Sequence, residues 1–180
     1  MDNSFFAYLQ LLELMAFFAG YPLLYAIILS ICGRRKTENN LWGRMARNLP
    51  FAYALVATLY FGYVLKSLYP DYSINNFHQS FHQPWLVTWG LIATLFWLPG
   101  LAKKKILSLI HGLVFFFFLL NDLFSQITDI TFDGNILRND MKVYTTSLLL
   151  NLGAFAFVIV ISGLRSVYKK RYAQMRSQKK

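Results

Sequence analysis

The sequence predicts an all-α, polytopic integral membrane protein with about five transmembrane helices, N-terminus outside and C-terminus cytoplasmic. Three observations predict it. Of 180 residues, 56% are hydrophobic and 14% charged, against about 25% charged in soluble domains. The apolar residues come in blocks that are apolar all round, rather than as the single stripe of a helix half-facing water. The basic residues fall almost entirely in alternate loops, the signature of a fixed orientation.

The blocks, at roughly 5–32, 49–69, 84–98, 105–124 and 142–165, are read as one membrane domain over 1–180, with a basic cytoplasmic tail at 166–180. The first block reaches about 42 Å as a helix, more than the ~30 Å hydrocarbon core. It must therefore tilt or kink, and Gly20-Tyr21-Pro22 is the expected kink because Pro22 lacks an amide. The second block is expected to start at Asn48 as N-cap, with Pro50 in the first turn. The third opens on Pro84 and stops at Pro99-Gly100. It is short for a span, and 74–83 is expected to extend it into the headgroup region. The fourth holds Phe115-Phe116-Phe117-Phe118. The fifth follows a turn at Asp133-Gly134-Asn135 and is expected to continue as a helix into the tail.

Five crossings put three loops on one side. These carry Arg34, Arg35, Lys36, Arg44 and Arg47, then Lys103, Lys104 and Lys105, then Arg165, Lys169, Lys170, Arg171, Arg176, Lys179 and Lys180. That is fifteen of the eighteen basic residues. Asp2, Asp71, Asp122, Asp129, Asp133 and Asp140 lie at or near the other side. The basic side is then cytoplasmic. The chain's net charge of +10 has a sufficient cause in topology and in an anionic inner leaflet, so nucleic acid is not an expected partner. Arg34, Arg35, Lys36, Lys103, Lys104 and Lys105 are the expected lipid-headgroup contacts. Tyr69, Tyr72, Trp85 and Tyr144 are placed at the outer interface, Trp42, Trp97, Tyr168 and Tyr172 at the inner one.

Several function classes drop out. One cysteine, Cys32, forms no internal disulfide and no CxxC or CxxCH motif, which removes thiol-redox and c-type haem readings. There is no HExxH, GxSxG, Walker A or GxGxxG pattern. Met1-Asp2-Asn3-Ser4 has no basic stretch ahead of the first block, so no signal peptide is expected.

What remains is polar residues at membrane depth, which are costly and therefore candidates for function. Glu13 and Asn151 share a depth, each about nine residues from the outer end of its helix. Asn121 and Asp122 lie near the outer end of the fourth block, with Thr145, Thr146 and Ser147 at that of the fifth. Facing one another, these would form an outward-opening pocket. In the plainer reading, Glu13 bonds Asn151 and holds two helices together. His111 lies near the inner end of the fourth block. It is expected to bond a carbonyl on a neighbouring helix, with proton relay or haem ligation as the sharper alternatives. His78 and His82 share a helical face at i, i+4 and could begin a metal site, completed by Asp129 or Asp133; Phe77 and Phe81 suggest instead an interfacial helix.

Five short-looped helices without a mid-bundle charge pair offer little machinery of their own. The leading expectation is a small non-enzymatic subunit that packs with larger membrane-protein partners and uses no cofactor. The alternatives are a proton- or ion-coupled transporter working through Glu13, and an outer-facing enzyme for a lipid-linked substrate using Asp122, Asp129 or His82. Compact loops point to a bacterial cytoplasmic membrane, although an endoplasmic-reticulum protein of this topology would read alike.

Overall fold

The computed structural model describes residues 3–33, 41–128 and 134–177. Every regular element among them is helical: α1 (Asn3–Phe18), α2 (Tyr21–Gly33), α3 (Leu41–Leu68), α4 (Ile74–Ser80), α5 (Pro84–Ile92), a 3-10 stretch (Ala93–Trp97), α6 (Pro99–Ala102), α7 (Lys105–Thr128) and α8 (Gly134–Ser177). Four segments are long and apolar enough to cross a bilayer: Gln10–Ile31, Met45–Leu68, Lys105–Ser125 and Met141–Lys169. Pro84–Trp97 is a shorter apolar segment.

The first block is two helices in series, broken at Ala19-Gly20 where the glycine and Pro22 foretell a kink. The second begins at Leu41, earlier than expected, and Pro50 lies inside it. Asn48 is therefore not its cap. Pro50 removes one hydrogen bond, that to the carbonyl four residues back. Close packing on both sides of it holds the helix: Ala46, Leu49, Ala52 and Tyr53 are all buried. The third block is α5 followed by the 3-10 stretch, with Pro84 in the first turn as expected. Its expected extension over 74–83 is instead the separate helix α4, Ile74–Ser80, followed by a turn; the Ser73 hydroxyl caps α4 by accepting from the Asn76 amide. The fourth helix runs on to Thr128. The fifth starts at Gly134 and continues through the basic tail to Ser177, 44 residues in all.

The core is aromatic. Phe18 stacks on Phe115 at 4.6 Å and meets Tyr60 edge-on at 5.2 Å, while the Tyr21 and Tyr53 rings are 4.3 Å apart. These rings pack α1, α2, α3 and α7 round one centre. Segment 84–102 runs the length of this core. At one end Gln10 of α1 bonds Ser80 and His82. At the other, Tyr25 of α2 lines a cleft with Lys103, Lys104 and Lys105. From Gln10 to Tyr25 the chain climbs about 22 Å.

Candidate functional site

The break between α1 and α2 positions the most buried polar groups of α8. Pro22 has no amide to offer Phe18, and the interrupted helix leaves other backbone groups of the turn without helical partners. In hydrocarbon each such group must find a substitute. Ser147 and Asn151, one helical turn apart on α8, supply two. The Gly20 amide donates to Ser147 Oγ at 2.8 Å. Asn151 Nδ2 donates to the Phe17 carbonyl at 2.8 Å and to the Ser147 carbonyl at 2.9 Å. Asn151 Oδ1 is buried with no partner among the described residues. The fit demands glycine: a Cβ on Gly20 would lie 2.6 Å from the Leu148 nitrogen and 2.7 Å from its Cα.

Glu13 does not join this cluster. It is exposed at the bundle surface and accepts a hydrogen bond from the Tyr63 hydroxyl. The reason is phase. Buried Met15 and Ala19 share a small cluster with Leu119. Glu13 precedes Met15 by two residues, which turns it about 200° round the helix, toward α3. The expected pairing of Glu13 with Asn151 does not form: Asn151 meets the Phe17 carbonyl, one helical turn further along α1.

His111 of α7 is 6% exposed and has both ring nitrogens engaged. Nε2 lies 3.0 Å from the Trp89 carbonyl, an acceptor only, so Nε2 carries the hydrogen. Nδ1 is then unprotonated and accepts from the Tyr53 hydroxyl at 2.7 Å. The Trp89 indole stacks on the imidazole at 4.7 Å and 4°. Trp89 has a carbonyl to spare because the chain tightens from α to 3-10 just beyond it, and the Ala93 amide turns to Gly90 instead. His111 thus bonds a neighbouring helix's carbonyl, and neither nitrogen has a lone pair left for iron.

Gln10, a lone polar residue of the first block, does the same for the turn after α4. Its Nε2 donates to the Ser80 carbonyl at 2.6 Å and its Oε1 accepts from the His82 amide at 2.9 Å. This stitches the turn between α4 and α5 to α1. The one signal is Pro84, which disfavours helix at the residue before it, so the chain at 81–83 is poised to turn and its freed backbone groups need partners.

The other candidates do not converge. α4 ends at Ser80, so His82 lies beyond it and the i, i+4 helical face with His78 does not form. Among the described residues, no group of three His, Cys, Asp or Glu side chains comes together as a metal site. Asn121 is exposed, and Thr145 bonds back to the Met141 carbonyl. The expected outward-opening pocket is therefore not assembled by these residues. Arg34, Arg35, Lys36, Asp129 and Asp133 lie outside the described residues, as does the side chain of Asp122. Lys103 and Lys104 are exposed and Lys105 half-buried.

Together these features define an all-helical chain with apolar helices fit for a membrane, whose internal polar groups are largely used on its own backbone. Comparison with known protein families, with curated proteins and with solved structures returns no match.

Proposed function

We propose that the chain is an accessory subunit of a larger membrane assembly, crossing a bacterial cytoplasmic membrane five times with its N-terminus outside and its tail in the cytoplasm. The course of segment 84–102 supports the count. Its nine α-helical and five 3-10 residues reach about 23 Å, because a 3-10 stretch rises ~2.0 Å per residue instead of ~1.5 Å. The 3-10 stretch brings the segment about 2.5 Å nearer to the ~30 Å core than an all-α segment of the same residues would come. With five crossings, Lys103–Lys105 share a side with the tail, in accord with the positive-inside rule.

The observation that carries the subunit reading is a seam along α8. Leu149, Gly153, Ala156, Val160, Gly163 and Val167 are all exposed and follow one another at alternating steps of four and three. A Cβ added at Gly153 or Gly163 would meet nothing within 4 Å. Lipid tails are as apolar as leucine, so helices in a bilayer associate through close packing at small residues. Steps of four and three match the 3.5-residue period that keeps a seam facing one partner helix. The carrier alternative rests on Glu13, which lies on the bundle surface beside Tyr63. No comparable observation favours it or the lipid-linked enzyme.

The test is assembly size in native membranes. Wild type is expected to run in mild detergent as a complex well above its own 20.9 kDa. Gly153→Leu with Gly163→Leu should release the solitary protomer with its helix content and melting point intact. A wild-type protein that is already solitary and monodisperse overturns the reading.

A further inference from the structure

The cytoplasmic ends of α2 and α7 enclose an open cleft of about 490 Å³, lined by Tyr25, Lys103, Lys104, Lys105, Ile106 and Leu107. Three consecutive lysines border it, and no acidic residue lines it among the described residues. Tyr25 is the unusual member. Its side chain is 4% exposed, its ring meets Tyr21 edge-on at 6.0 Å, and its hydroxyl has no hydrogen-bond partner among the described residues. The neighbouring Tyr21 hydroxyl, by contrast, is bonded to Ser108 at 2.7 Å. A buried phenol normally finds a partner for its O–H, and the one open direction for Tyr25 is the cleft. The start of α7 adds to it. The Leu107 amide turns back to the Lys104 carbonyl, but the amides of Lys105 and Ile106 open the helix and have no acceptor within it. Those amides carry the positive end of the helix dipole.

The geometry points to a binding site for the phosphate of an anionic membrane lipid, with the Tyr25 hydroxyl and the lysines on the phosphate oxygens. The choice of a lipid over free phosphate comes from what adjoins the cleft. Ile106, Ile110, Leu113 and Phe117 form one exposed strip leading away from it along α7. Leu23 and Ile27 of α2 are also exposed. A phosphate in the cleft sets acyl chains against these side chains. This sharpens the reading of Lys103–Lys105 as headgroup contacts and depends on the basic side facing a leaflet. It is independent of any partner on α8, so lipid titration and assembly size fail separately.

The experiment is thermal unfolding of the full chain in neutral detergent, titrated with phosphatidylglycerol, with phosphatidylcholine, or with inorganic phosphate at equal phosphate concentration. Phosphatidylglycerol alone is expected to raise the melting point. Tyr25→Phe is the decisive variant, because its hydroxyl bonds nothing among the described residues. It should melt like wild type without lipid yet need about fivefold more phosphatidylglycerol for the same shift, the worth of one hydrogen bond. Lys103→Gln with Lys104→Gln should weaken the response further. Equal titrations for wild type and Tyr25→Phe overturn the site. A lowered melting point for lipid-free Tyr25→Phe makes the tyrosine structural and also overturns it. An equal shift with inorganic phosphate overturns the lipid assignment in favour of a free-anion site.

Discussion

His111 Nε2 donates to the Trp89 carbonyl at 3.0 Å, at the point where α5 tightens into a 3-10 helix. The same relation recurs twice: Asn151 with Ser147 at the α1–α2 break, and Gln10 at the turn after α4. In each case a polar side chain on one helix serves backbone groups that an irregularity on another sets free. His111, Asn151, Ser147 and Gln10 are thereby accounted for by the folding problem they solve, since unsatisfied backbone in hydrocarbon costs several kcal/mol per group.

Replacing His111 with Phe keeps an aromatic ring, a slightly larger one, but strips the Trp89 carbonyl and the Tyr53 hydroxyl of their partner. A destabilisation of about 1–2 kcal/mol is expected, the upper range for hydrogen bonds between membrane helices. Tyr53→Phe alone should cost about 1 kcal/mol, and adding it to His111→Phe little more, because both remove the same bond. Reversible unfolding in mixed micelles measures the cycle. Additive losses would show that the two residues act separately.

Gly20→Ala should be among the most damaging small substitutions in the chain. Its Cβ would fall 2.6–2.7 Å from backbone atoms of Ser147 and Leu148, and backbone cannot rotate aside as a side chain can. About 1–3 kcal/mol is expected from overpacking. Gly62→Ala, where the added Cβ meets nothing, serves as the control and should stay within about 0.5 kcal/mol of wild type. The comparison is read from melting curves of the purified proteins.

Ser147→Ala and Asn151→Leu each leave one end of the α1–α2 break unserved. Each is expected to cost about 1 kcal/mol, and the double variant less than the sum, because the turn shifts to new partners once either support is gone. A cysteine placed at Ala19 reports this independently: its labelling rate should rise in all three variants.

Much of this fold is legible in the sequence, and the shortfalls have physical causes. Blocks apolar on every face gave away the long helices, and Gly20-Tyr21-Pro22 marked the break. The start of α3 did not stand out, because Arg44, Arg47 and Asn48 read as a loop. Yet Ala46, Leu49, Tyr53, Val56, Tyr60 and Val64, all buried, already keep helical spacing through that stretch. The aromatic core was hidden for a different reason. Phe18, Tyr21, Tyr53 and Tyr60 look the same in sequence as rings facing lipid, and only the packing of four helices separates them. Pairings were the least legible. Depth predicts that Glu13 and Asn151 are level, but rotation about each helix decides what they touch, and a lone polar residue carries little information about rotation.

Gln10→Ala should loosen the turn joining α4 to α5 without unfolding the bundle. The amide of His82 donates to Gln10 Oε1, and losing about 1.4 kcal/mol of local stability speeds its exchange with solvent deuterium about tenfold. Hydrogen exchange resolved by peptide is expected to show faster uptake over 74–83 and unchanged uptake in α3 and α7. Uniformly faster exchange would mean that Gln10 supports the whole bundle rather than this turn.

Glu13→Gln separates a surface carboxyl from a coupling site. Gln keeps an oxygen to accept from the Tyr63 hydroxyl, the bond Glu13 makes, so folding stability should stay within about 0.5 kcal/mol, as for most surface changes. A carrier must open its ionisable site to each face of the membrane in turn, through a cavity that water and substrate enter. Glu13 lies on the outside of the α1–α3 pair, on the side turned away from Met15, Ala19 and Leu119. Liposomes holding the purified protein and an internal pH dye should therefore leak protons no faster than empty ones under an imposed gradient. The Glu13→Gln protein should give the same trace. A proton flux above the empty-vesicle rate that disappears with Glu13→Gln would establish the carrier and remove the subunit as this chain's primary role.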